Sequence, residues 1–193
     1  PPRSTLFPYT TLFRSIAPML VAGMLGVTTQ AVASGERLYG RFTNDNELYA
    51  PRDYREWVFI GSNVTPNDMN DGAAAFPEFH NVYIDPGSYA HWKKTGEFRS
   101  GTVIVKELAS IGTKEAPSGH GYFQGEFGGI AAMVKDAKRY PDKPGNWAYF
   151  GFSADSRHGA IQEESACSAC HQQNAGQDQV FTQFYPVLRA AKP

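Results

Sequence analysis

The residue types with the clearest chemistry lie close to the carboxyl end of the chain. The only two cysteines are Cys167 and Cys170, and His171 follows the second one directly. This C-x-x-C-H spacing is the attachment signature of c-type haem. Two thiols on one turn can add to the two vinyl groups along one edge of a porphyrin, and the next residue can then ligate the iron. The motif therefore predicts one haem, bonded covalently to both cysteines and ligated by His171.

Two other kinds of site use paired cysteines at this spacing. A zinc site needs further ligands nearby, and the chain has no other cysteine. A redox-active disulfide of the thioredoxin type belongs on a helix that follows a strand in a βαβ unit, and it does not need the histidine. Because neither alternative accounts for His171, the sequence favours haem.

The sequence after the motif bears on the sixth coordination position of the iron. No methionine or histidine follows His171, and Met69 and Met133 are the only methionines after residue 33. A methionine in a chain of this size usually fills the core. We therefore expect a five-coordinate haem, whose open position binds or transforms a small molecule. His158 and Gln162, shortly before the motif, are possible pocket residues.

The amino-terminal segment has the features of an export signal. Residues 16–32 form a short apolar core, and Ala31-Val32-Ala33 provides a cleavage site. Residues 1–15 lack an initiator methionine and resemble a truncated or foreign leader. Cleavage after Ala33 leaves a single domain over residues 34–193, which we expect in the periplasm.

Loss of Arg3 and Arg14 changes the formal net charge from −1 to −3, which argues against nucleic-acid binding. No later segment is apolar enough to enter a bilayer.

The elements that must position the motif are mostly strands. The chain has 19 glycines, 13 prolines and 13% aromatic residues, which is too many for a plain helix bundle. Asp85-Pro86 predicts a helix start and Gly96 its end; further helical turns are expected around 167–171 and over 184–191, the latter interrupted by Pro186. The segment 129–139 fits either a helix or a strand. Together the pattern predicts an α+β fold with an antiparallel sheet, whose strands are expected at 57–60, 79–84, 102–108, 121–127 and 147–152.

Several longer motifs resemble one known family. They are residues 54–58, 64–67, 70–72, 82–86, 88–99, 101–107, 144–148 and 180–189, together with the haem motif. In these segments the sequence resembles the cytochrome P-460 family, the hydroxylamine-oxidising c-type cytochromes of ammonia- and methane-oxidising bacteria. The resemblance extends over about residues 48–192.

The resemblance implies a mostly β, homodimeric, periplasmic haem oxidoreductase. Such a protein converts hydroxylamine to nitrous oxide or nitrite and passes electrons to an accepting c-type cytochrome. By motif, Lys106 is the lysine that bonds to a meso carbon of the haem. A distal carboxylate just before the haem motif corresponds to Glu163 or Glu164, and Phe76 corresponds to an aromatic residue that crowds the distal pocket.

A related branch, the β-type cytochromes c′, shares the fold but lacks the lysine bond and binds NO or CO. This gives the alternative function of a gas carrier or sensor, and a plain electron carrier is disfavoured by the missing sixth ligand. Without the resemblance, the sequence pattern gives weaker evidence for a role of Lys106. Alternation puts Ile104, Lys106 and Leu108 on one strand face, but Val103 and Val105 are also apolar, so the facing stays open. A buried lysine has a lowered pKa and can present the neutral amine that a carbon–nitrogen bond requires.

Overall fold

A computed structural model describes residues 37–193 of the chain. Its strands are β1 (Leu48–Tyr49), β2 (Val58–Val64), β3 (Phe79–Ile84), β4 (Val103–Ile111), β5 (Glu115–Ala116), β6 (Gly119–His120), β7 (Gln124–Lys135), β8 (Trp147–Ser153) and β9 (His158–Gly159). Its α-helices are α1 (Pro86–Thr95), α2 (Ser168–Asn174) and α3 (Pro186–Ala191). Short 3₁₀ turns cover Tyr54–Glu56, Asn67–Met69, Pro144–Asn146 and Thr182–Phe184.

One five-stranded antiparallel sheet organises these elements, in the order β2-β3-β4-β7-β8. Both faces of the sheet are covered, because its central strands are apolar on both sides. Val103 and Val105 of β4 pack into one cluster with Tyr54 and Phe150. Ile104, between them, packs on the other face, where the helices supply Trp92 of α1 and Leu188 of α3. The predicted α+β fold with an antiparallel sheet is confirmed.

Helix α1 has the ends that the sequence predicts. The Asp85 side chain accepts a hydrogen bond from Ser88 N at 2.8 Å, Pro86 occupies the first turn, and Gly96 closes the helix with a φ of 69°. The second carboxylate oxygen of Asp85 accepts from Val103 N at 2.9 Å. This buried carboxylate therefore caps the helix and ties it to β4 at the same time.

Two details of the predicted elements are wrong. The segment 121–127 is not a separate strand, because β7 continues to Lys135 and includes most of the segment that fitted either a helix or a strand. A register shift beside Gly129, whose φ is 132°, bends the strand without ending it. Pro186 does not interrupt a helix; it opens α3, where its missing N–H needs no partner.

Residues 37–193 belong to one compact unit. Within residues 37–193, no helix combines the length and the apolar composition needed to cross a membrane. The predicted leader over residues 1–33 lies outside the described residues.

Candidate haem site

The cysteine motif lies at the start of α2, against the helix-covered face of the sheet. Cys167 caps the amino end of α2, and its half-buried side chain packs against the same cluster as Ile104 and Tyr149. Cys170 is exposed one turn later, and both residues are free thiols. A planar group bonded to both thiols is therefore held against this face.

His171 is held in a defined tautomer and orientation. Its Nδ1 lies 2.7 Å from the carbonyl oxygen of Gln179. A carbonyl only accepts, so Nδ1 donates, and Nε2 keeps the lone pair that a metal ion needs. The rings of Tyr149 and Phe181 contact the imidazole edge-on, with centroids at 4.8 and 4.7 Å. Burial lowers the pKa of His171, and the hydrogen bond to Gln179 opposes that shift. The His171 imidazole is therefore suited to bind a metal ion in its neutral form.

The structure decides which way Lys106 faces. It lies opposite Val82 on β3 and opposite Ala131 on β7, and Ala131 in turn lies opposite Gly151 on β8. With Ile104 two residues earlier, Lys106 shares the face of the sheet that carries the cysteine motif. Ala131 and Gly151 carry little or no side chain on that face, and the side chain of Gln162 lies 3.8 Å from the point where a Cβ of Gly151 would stand.

The surroundings of Lys106 lower its pKa and place its amine against an aromatic ring. Burial lowers the pKa of Lys106, and the negative charge of the nearby Glu78 carboxylate acts in the opposite direction. Its Nζ lies 4.4 Å from the centroid of the Phe76 ring, within cation–π distance. Lys106, Phe76 and both cysteines, which sequence reasoning singled out separately, therefore belong to one site.

Two residues of this site escaped sequence reasoning. Glu78 Oε2 and His80 Nε2 are buried and have no hydrogen-bond partner among residues 37–193. Burial, together with the charge of Lys106, lowers the pKa of His80 to about 4. Alternation alone puts Glu78, His80 and Val82 on one face of β3, but only the pairing of Val82 with Lys106 shows that this face carries the site.

The other candidates lie farther from these groups. Glu163 and Glu164 are exposed on the turn before α2, where their backbone carbonyls accept from Ala166 N and Ala169 N. His158 lies on the β1–β9 ribbon and forms an ion pair with Glu47. The structure does not bring these three side chains to Lys106.

The two methionines differ in their surroundings. Met69 is 72% exposed, whereas Met133 is buried between Ile104 and Tyr149 on neighbouring strands. The buried one packs as a core residue of the sheet.

The donor set of this face suits a haem. It offers one imidazole Nε2, two thiols one turn apart, and buried polar atoms on Glu78 and His80 that find no partner within the protein. A buried polar atom without a partner is costly, so a polar group of a ligand, or water, is expected there. Across residues 37–193, no three His, Cys, Asp or Glu side chains cluster as they do around a protein-bound metal ion.

An antiparallel sheet carrying this site on one face defines a haem cytochrome. The comparison with known families agrees, since the family model described as Cytochrome P460 matches residues 51–182. The chain belongs to the cytochrome P460 family. No curated protein matches the sequence significantly.

Proposed function

We propose that the chain is an exported c-type cytochrome that oxidises hydroxylamine at a haem bonded to Cys167, Cys170 and Lys106. The observation that carries the proposal is the half-buried Lys106 amine, which shares one sheet face with the cysteine motif and whose pKa is lowered by desolvation. Lysines on strands usually extend to water. A lysine kept beside a cofactor site, with a lowered pKa, has a chemical use there.

In this proposal the haem and the protein side chains have different roles. When bound, the haem supplies the redox chemistry, because its iron takes up the electrons that hydroxylamine loses. His171 provides the axial nitrogen in its neutral form. A bond from Lys106 to the ring gives a further anchor, and distortion of the macrocycle is one of the means by which a protein changes haem reactivity.

Hydroxylamine also loses protons as it is oxidised, and a carboxylate is the natural acceptor. Family resemblance assigns this role to Glu163 or Glu164. Both side chains are exposed just before the cysteine motif, so they can exchange protons with water. Changing both to Gln should slow turnover by at least about 100-fold and leave the haem spectrum unaltered. Unchanged turnover removes both from the mechanism and leaves Glu78 as the carboxylate beside Lys106.

A second function is a NO- or CO-binding cytochrome of the same fold without turnover. The position of Lys106 over the Phe76 ring favours it, since a cation–π contact stabilises the charged form of the lysine. The charged form cannot bond to carbon. The two functions therefore differ in whether the Lys106 side chain bonds to the haem.

Intact mass and the optical spectrum of the purified holoprotein distinguish them. Formation of the carbon–nitrogen bond removes one hydrogen from Lys106 and one from the ring and passes two electrons to an external oxidant of the peroxide class, so the linked protein is lighter than a doubly cysteine-bonded holoprotein. Its main absorption band is red-shifted and broadened. Lys106→Ala should fold, keep its haem, show an ordinary c-type spectrum and lose hydroxylamine oxidation. The matched control, Lys114→Ala, changes an exposed lysine paired with Asp68 and should behave as wild type. Identical spectra for wild type and Lys106→Ala, without turnover in either, leave the gas-binding function.

The cellular setting is part of the same proposal. We propose cleavage near Ser34, a periplasmic homodimer, and an electron-accepting c-type cytochrome as partner. Amino-terminal sequencing of the periplasmic fraction tests cleavage and location together. Light scattering on the purified holoprotein gives the oligomeric state, and reduction of a candidate acceptor cytochrome during hydroxylamine turnover tests the partner.

A further inference from the structure

The carbonyl that orients His171 belongs to an unusual turn. Asp178 and Gln179 have φ values of 46° and 60°, in the left-handed region that favours glycine. Non-glycine residues persist in this region when their surroundings over-determine the conformation, and such positions cluster at functional sites. The turn lies between α2 and the 3₁₀ turn Thr182–Phe184. It therefore needs an anchor that is strong enough to hold it.

That anchor comes from the Gln179 side chain. Its Nε2 donates to the carbonyl oxygen of Pro144 at 2.5 Å, and its Oε1 accepts from the Tyr149 hydroxyl at 2.9 Å. An amide oxygen only accepts, so the Tyr149 hydroxyl is the donor in this bond. The amide is thus clamped between the turn that precedes β8 and the strand itself.

The neighbouring residue ties the turn to the same part of the sheet. Asp178 Oδ1 accepts from Lys135 Nζ at 3.0 Å and from Trp147 Nε1 at 3.2 Å. Lys135 ends β7 and Trp147 begins β8. Both residues of the turn are therefore fixed to the two strand ends beneath the imidazole.

We propose that Gln179 is a positioning residue, whose side-chain clamp fixes the hydrogen bond at His171 Nδ1 and so sets the basicity of the axial imidazole. The partner of the second ring nitrogen tunes a metal-bound histidine, and loss of such a partner typically weakens metal binding about 10–100-fold. Tyr149 supports the hydrogen bond between Gln179 and His171 in two ways. Its hydroxyl donates to the Gln179 side chain, and its ring contacts the His171 ring. The clamp resists release of His171 when NO binds to the opposite side of the iron.

Three variants of the holoprotein separate the parts of the clamp. Gln179→Ala removes the amide, Gln179→Gly removes it and also relieves the left-handed backbone, and Tyr149→Phe removes only the hydroxyl. Gln183→Ala is the matched control, because Gln183 also bridges two backbone groups, Gly176 N and Asn174 O, without touching His171. The readouts are the iron–histidine stretching frequency of the ferrous protein and the fraction of NO-treated protein that keeps His171, measured by electron paramagnetic resonance.

Both Gln179 variants should lower the stretching frequency and increase histidine release by roughly tenfold or more. Tyr149→Phe should change both readouts in the same direction and by less, and Gln183→Ala should match wild type. If Gln179→Ala folds with wild-type values, the proposal is wrong. It is equally wrong if Gln179→Gly restores them, since the backbone alone would then hold the carbonyl. If Gln179→Ala fails to fold, Tyr149→Phe decides. NO binds whether or not hydroxylamine is turned over, so failure of the proposed function leaves this test intact.

Discussion

His80 should make the protein sensitive to acid in a way that one substitution removes. Its Nε2 is buried without a partner among residues 37–193, and Lys106, in its charged form, adds a positive charge nearby. Both features oppose protonation of the imidazole, and they lower its pKa from 6.5 to about 4. In the unfolded chain, His80 takes up a proton near its ordinary pKa. Between these two pKa values the unfolded state therefore binds more protons than the native state.

The sign and size of the effect follow from this difference. Stability is complete above pH 6.5, falls as the pH decreases towards 4, and falls no further from this cause below pH 4. One pKa unit corresponds to about 1.4 kcal/mol, so the full shift corresponds to roughly 3 kcal/mol. Partial exposure of His80 reduces the expected loss to about 2 kcal/mol. His80→Gln keeps a polar side chain but cannot titrate, and it should lack this loss.

Denaturant unfolding of the ferric holoprotein at pH 7, 5.5 and 4.5 measures the difference. Other groups titrate over the same range, so the quantity of interest is the gap between wild type and His80→Gln at each pH. His120→Gln serves as control, because the His120 side chain is 89% exposed. Wild type should lose about 1–2 kcal/mol more than His80→Gln between pH 7 and pH 4.5. Parallel profiles for the two proteins would refute the buried, neutral state of His80.

Three further predictions concern the same fold and site. Asp85→Ala should lower the free energy of unfolding by about 1–3 kcal/mol, because Ser88 N and Val103 N both lose their acceptor, and Asp85→Asn should recover part of it in the same denaturation assay. In a Lys106→Ala background, which removes the proposed lysine bond, Cys167→Ala combined with Cys170→Ala should release all haem under denaturing conditions, as seen on a haem-stained denaturing gel; haem retained by this triple variant contradicts thiol attachment. Glu78→Gln removes a charge that raises the pKa of Lys106, so the pH midpoint of cross-link formation, followed by mass, should move downwards; an unmoved midpoint separates Glu78 from Lys106.

Local signals in the sequence predict the parts of the site that depend on neighbours in the chain. The C-x-x-C-H spacing needs only five consecutive residues, and α2 begins where the motif requires it. Helix α1 follows from Asp85, Pro86 and Gly96, because a cap, a first-turn proline and a left-handed glycine all act within one turn. These interactions do not depend on how the sheet is paired.

The remaining parts of the site depend on pairing across the sheet, which periodicity does not reveal. Glu78 and His80 become site residues because β3 lies beside β4. Gln179 matters because residues 144–149 pass beneath the turn that carries it. Nothing in the sequence around Gln179 indicates this role, since a left-handed glutamine has no compositional signal of its own.

The facing of Lys106 shows how the sheet resolves an ambiguous pattern. A shift of β4 by one residue would exchange Lys106 with Glu107, since alternate residues face opposite sides. Glu107 prevents this exchange, because it is buried on the face away from the haem motif. There its carboxylate accepts from the Tyr54 hydroxyl and from Arg55 Nε, and Asn81 Nδ2 donates to it at 3.1 Å.

These bonds have no counterpart on the other face of the sheet. In a shifted strand the buried Tyr54 hydroxyl would lose the Glu107 carboxylate, and a lysine would enter the place of that carboxylate beside Arg55. The polar network around Glu107 therefore specifies the register of β4. The same register places the Lys106 side chain on the opposite face of β4, the face that carries the cysteine motif.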